Sequence, residues 1–96
     1  MSKGYIVCVY ESINDDSALK NYAIKAREAV EKYDGKFLIR GGQNIVTEGR
    51  EFVRTVMIEF SSFEKAKEFF YSSEYQSAHK LLGSTVIRNH QIIEGN

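Results

Sequence analysis

The stretch KFLIRGGQN, residues 36–44, sets Arg40 directly before two glycines, Gly41 and Gly42. That order supports two kinds of chemistry. In one, the glycines let a ligand approach bare backbone while the Arg40 guanidinium grips its carboxylate through paired hydrogen bonds. In the other, the glycines bulge and bend a strand. Arg40 then faces Glu59 across a hairpin whose tip lies near 48–51, a cross-strand ion pair contributing roughly 0.2–1 kcal/mol. The two are compatible, since an arginine oriented by Glu59 is a better-placed grip.

Proton transfer has two candidates. Glu59 is one. His79 is the other, four residues after Tyr75 and able to act as a general base if it turns toward the sheet; otherwise it is a half-exposed helix residue. His90 alternates with Ile92 and shares its face, which gives it an interface role if that face meets a partner subunit. Tyr22, Tyr33 and Tyr75, with Tyr5 or Tyr10, offer aromatic walls with polar tips suited to a small planar ligand, or simple core packing with hydroxyls reaching the surface. The candidate site is therefore His79 and Glu59 for catalysis, with Arg40, Gly41, Gly42, Tyr22 and Tyr75 for binding.

Other chemistries lack their residues. The two histidines have no metal-ligand spacing, and Cys8, the one cysteine, can form neither an intramolecular disulfide nor a thiolate metal site. No metal and no permanent cofactor are expected. The RGG triplet lacks the glycine spacing and strand-to-helix setting of a phosphate or dinucleotide loop. Thirteen basic residues balance thirteen acidic ones, so no net field favours nucleic acid or an anionic membrane. The first apolar run, ending before Glu11, is too brief for a signal core or a membrane span, and a cytoplasmic location is expected.

Ninety-six residues make one domain, 1–96. Residues 4–11, GYIVCVYE, predict a strand apolar on both faces: Tyr5, Val7 and Val9 on one, Ile6, Cys8 and Tyr10 on the other. A helix follows, capped within Asn14–Asp16, with Leu19, Tyr22, Ala23, Ala26, Ala29, Val30 and Tyr33 as its stripe and Gly35 as its left-handed stop. Residues 36–60 predict a hairpin. Its second arm carries Val53, Thr55 and Met57 on one face and Val56, Ile58 and Phe60 on the other. Residues 61–83 predict one broken helix or two short ones, with a Ser61–Glu64 capping box competing with Ser62 as cap. A last strand runs from about Arg88 to Glu94.

The order strand, helix, strand, strand, helix, strand gives an α+β, ferredoxin-like βαββαβ arrangement: a four-stranded antiparallel sheet with its helices on one face. The other face of the central strands still displays apolar side chains. A second copy packing sheet to sheet is the economical cover, so a homodimer is expected.

The segments KGYIV, Asp15 to Tyr22, YDGKFLIRGG, VMIEF, SSEYQ and the closing IIEG resemble the domain of unknown function 1330 family over nearly the whole chain. The resemblance implies a dimeric α+β barrel, in a superfamily that includes cofactor-free monooxygenases, lactone isomerases, haem enzymes and ligand-binding regulatory domains. Ser73 and the GSTVIRNHQ stretch depart from the family's pattern. Two functions follow as expectations. One is a cofactor-independent enzyme acting on a small anionic or aromatic molecule between helices and sheet; the other is a non-catalytic ligand-binding or regulatory homodimer.

Overall fold

The computed structural model describes residues 2–96. Its elements are β1 (Gly4–Ile13), α1 (Asp16–Lys32), β2 (Lys36–Arg40), β3 (Arg54–Phe60), α2 (Phe63–Tyr71), α3 (Ser73–His79) and β4 (Val86–Glu94). The sheet order is β2-β3-β1-β4, and each neighbouring pair is antiparallel. The twice-apolar β1 therefore lies in the interior of the sheet, as its composition requires. Among the described residues no helix is long and apolar enough to cross a membrane.

The alternation along β1 decides the layers. Ile6, Cys8 and Tyr10 are buried beneath the helices, with Ile58 and Phe60 of β3. Ala26, Ala29 and Val30 of α1, Ala66 and Phe69 of α2, and Tyr75 and Ala78 of α3 pack onto them in one core. Alanines let α1 and the later helices approach the sheet closely, leaving the aromatic rings to fill the space.

Local signals fix the helix ends. Asp15 caps α1, its carboxylate accepting from the backbone N–H groups of Ser17 and Ala18 at 2.9 and 3.1 Å. Ser62, not Ser61, caps α2, accepting from Lys65 N–H at 3.0 Å. Ser72 divides the two later helices. Its hydroxyl donates to the Phe69 carbonyl and accepts from Tyr75 N–H, so one side chain ends α2 and starts α3.

Three expectations change. The left-handed residue after α1 is Asp34, with φ of 58°, and not Gly35. Gly35 is needed for closeness instead: a Cβ there would stand 2.7 Å from Phe60 Cε1 and 2.8 Å from Val30 Cγ1. The bulge in β2 falls between Phe37 and Ile39, not at the glycines, which lie beyond the strand's end. The segment between Arg40 and Arg54 is a long exposed loop, not a tight tip at 48–51. The register consequently slides, so that Arg40 faces Val56 and Glu59 faces Lys36. An odd slide of three residues reverses faces. Arg40 thus shares the helix side with Val56, while Glu59 lies on the outer side.

Candidate functional site

Register builds the site one row at a time. On the helix-facing side, Tyr10 of β1 stands between Arg54 of β3 and Arg88 of β4. The next row is Arg40, Val56, Cys8 and His90. Tyr22 descends from α1 and Tyr75 from α3, their hydroxyls 2.8 Å apart and their rings edge to face. Arg40, Arg54, Arg88, Tyr22, Tyr75 and His90 thus line one cleft between helices and sheet. The cavity itself is small, about 40 Å³, and reaches about 530 Å³ when the open space up to its mouth is counted.

Arg88 is the centre of this cleft. Its Nη1 donates to the Tyr10 hydroxyl at 3.0 Å, the Tyr22 hydroxyl at 3.3 Å and Cys8 Sγ at 3.5 Å; its Nη2 donates to the Tyr75 hydroxyl at 3.1 Å. The guanidinium carbon also lies 5.5 and 5.2 Å from the ring centres of Tyr10 and Tyr22. These partners are neutral. Burial pushes the phenols of Tyr10 and Tyr75, and the Cys8 thiol, above their usual ranges. Burial opposes the charge on Arg88, and the phenol oxygens that accept its hydrogen bonds favour it.

Among the described residues no carboxylate answers this charge. The ion pairs among the described residues are Lys3–Glu59, Arg27–Glu31, Lys32–Glu74, Arg50–Glu11 and Lys67–Glu64. None includes Arg40, Arg54 or Arg88, and no aspartate or glutamate lines the cleft. Arg54 and Arg88 are half-buried and Arg40 is exposed; a charge drawn partly out of water gains from a counter-charge, and the cleft supplies none. Arg54 adds to the imbalance: its Nε is shielded from solvent and has no hydrogen-bond partner.

His90 completes the site. Its Nε2 lies 3.4 Å from the Tyr75 hydroxyl, and its ring packs beside Phe70. Burial, then the positive charge of Arg88 and the neighbouring His79, lower its pKa to about 3. The imidazole is therefore neutral near pH 7. A second hollow beyond it is bounded by His79, Phe70, Leu82, Gly83, Val86, Arg88 and His90. Burial lowers the pKa of His79 as well, with Arg88 adding to the effect.

The expected site residues divide. Tyr22 and Tyr75 stand in the cleft. Arg40 reaches its mouth, stacked on Phe37 at 4.6 Å. Gly41, with φ of 75°, abuts Arg54: a Cβ there would collide with the Arg54 guanidinium. Gly42 has open space around it. His79 sits on the exposed rim of the second hollow. Glu59 does not join them. It lies on the outer face, held by Lys3 at 3.4 Å and the Tyr5 hydroxyl at 3.3 Å, so it pairs with neither Arg40 nor His79. Of the other tyrosines, Tyr10 belongs to the site, Tyr33 packs on Phe69 and Tyr5 serves Glu59. His90 faces the helices and not the open side of the sheet. Arg88 escaped the sequence reading. Its signal is the alternation Arg88, His90, Ile92, one face of β4, which acquires meaning only opposite Tyr10, Cys8 and Ile6. Among the described residues no cluster of His, Cys, Asp and Glu could hold a metal ion.

Solved structures share this architecture. A protein of unknown function from Rhodopseudomonas palustris is similar at a TM-score of 0.76 and 13% identity, covering 96% of this chain and 81% of its own. A candidate antibiotic biosynthesis monooxygenase from Caulobacter crescentus is similar at 0.64 and 11% identity, covering 99% and 90%. A dimeric protein of unknown function with a ferredoxin-like fold, from Bacteroides fragilis, is similar at 0.56 and 19% identity, covering 97% and 95%. At these identities the likeness carries the fold alone. Among curated proteins, none matches the sequence. The family described as domain of unknown function DUF1330 matches residues 3–96, nearly every residue of the sheet and helices above, and the chain belongs to that family.

Proposed function

We propose that this protein binds a small, flat organic anion in the cleft beneath α1 and α3, with Arg88 as the grip. One observation carries the reading: three arginines and no acidic residue line the same cleft. A bound carboxylate supplies the missing counter-charge through paired, charge-assisted hydrogen bonds. Tyr22 and Tyr75 wall the ligand, and Arg40 stands at the entrance. Benzoate in a thermal-shift titration tests this. At a hundred times its Kd a ligand adds about 2.7 kcal/mol of stability, and that gain should vanish in Arg88→Gln. Equal stabilisation of the variant would remove Arg88 from the site.

The protomer is proposed to pair through the outer face of its sheet. Tyr5, Val7, Val9 and Met57 are only half covered there, and Ile39 and Ile93 are exposed. Shielding that surface is the work of a second copy. Val7→Lys should yield monomers in sedimentation; an unchanged dimer would place the contact elsewhere.

A second reading, cofactor-independent proton transfer, is favoured by the neutral His90 imidazole next to Tyr75 and Arg88. A carboxylate on Arg88 would relieve the charge that depresses His90 and make it a stronger base. The discriminating measurement is deuterium exchange into a bound enolisable acid. Exchange lost in His90→Gln supports catalysis, and binding without exchange supports the non-catalytic protein.

A further inference from the structure

We infer that the ligand of this cleft is a dianion, with one anionic group on Arg88 and the other on Arg54. The inference rests on the binding reading above and extends it to the substrate class. Arg54 and Arg88 are the two cross-strand neighbours of the same residue, Tyr10, on the same face of the sheet. Neighbouring antiparallel strands set paired Cα atoms roughly 5 Å apart, so the two arginines start about 10 Å apart with Tyr10 between them. Both line the same cavity.

Their surroundings are equally built. The Arg88 head is fixed by three hydroxyls. The Arg54 head lies against Gly41, where the absence of a side chain and a φ of 75° leave it room. The Arg54 Nε is inaccessible and has no hydrogen-bond partner, and neither Arg54, which is half-buried, nor Arg88 has an ion pair among the described residues. A monoanion on Arg88 would leave that second charge unanswered. A flat dicarboxylate answers both, its body lying over the edge of Tyr10 between Tyr22 and the sheet. Arg40, exposed at the mouth and stacked on Phe37, is free to follow the outer carboxylate in.

The test compares ligands of equal shape and unequal charge by isothermal titration of the full chain. Terephthalate is set against 4-carbamoylbenzoate, and succinate against succinamate, so both a rigid and a short spacing are sampled. In at least one pair the dianion should bind ten-fold or more tightly. Arg54→Gln should erase that advantage, weakening the dianion at least ten-fold more than its monoanionic partner. Arg88→Gln, or Arg88→Ala if the glutamine protein does not fold, should weaken both members. Monoanions that bind through Arg88 with no dianion preference would overturn this inference and leave the binding reading standing. Binding that survives loss of Arg88, or no binding of any of the four, would overturn both.

Discussion

Replacing Arg88 with glutamine should raise the pKa of His90 from about 3 to about 5. Both side chains contact the Tyr75 hydroxyl, Arg88 at 3.1 Å and His90 at 3.4 Å. Their nitrogens are thus at most about 6.5 Å apart, the two contact lengths laid end to end. A unit charge at that distance, with an effective dielectric constant near 20, disfavours imidazolium by about 2.6 kcal/mol, or about 1.9 pH units. Burial of the ring also depresses the value and stays in place, so the variant should not reach the ordinary value near 6.5. Titration of the ring by nuclear magnetic resonance reads the change directly. Arg88→Lys, which keeps the charge, should leave His90 near its wild-type value. A His90 that titrates near 3 in the glutamine protein would refute the placement of Arg88 against Tyr75 and with it the electrostatics of the site.

Acid sensitivity follows from the same group. Its pKa is depressed on folding, so its contribution to stability is complete above about pH 6.5 and is lost as pH falls toward 3. Between pH 6.5 and 4.5 that loss should approach 1.4 kcal/mol per unit, and His90→Phe should flatten this part of a denaturation series. Gly35→Ala should cost about 1–3 kcal/mol, because the added methyl meets Phe60 and Val30 inside contact distance; at roughly 4–8 °C of Tm per kcal/mol in a domain of this size, an unchanged melting curve would contradict the packing. Glu59→Gln should cost less than about 1 kcal/mol, since its Lys3 partner is largely exposed. A double-mutant cycle with Arg40 should return no coupling, and a measurable coupling would restore the pairing that the register rules out.

Much of the architecture was legible because it rests on local periodicity. A strand apolar on both sides had to lie inside the sheet, and the alanine and tyrosine stripe of α1 had to face it. The cap at Asp15 and the break at Ser72 are likewise short-range hydrogen-bond chemistry. The site was less legible because register made it. One bulge in β2 and a longer loop after it slid Arg40 three residues from Glu59, which changed the partner and the face together. Arg88 reads in sequence as an ordinary cation where a strand begins. Its importance comes from Tyr10, 78 positions away, and from hydroxyls delivered by two helices. It also stands in the GSTVIRNHQ stretch that departs from the family's usual pattern, so resemblance gave no help there. Tyr22 and Tyr75 were within reach because helical spacing alone turns them inward.

The central claim is that Arg88 is a cation waiting for an anion. A crystal structure of the protein soaked with terephthalate addresses it most directly. A carboxylate should sit on the Arg88 guanidinium at about 2.7–2.9 Å, with that guanidinium drawn partly away from its tyrosine hydroxyls. A cleft that holds only water, with Arg88 still bound to Tyr10, Tyr22 and Tyr75 at saturating ligand, would contradict it.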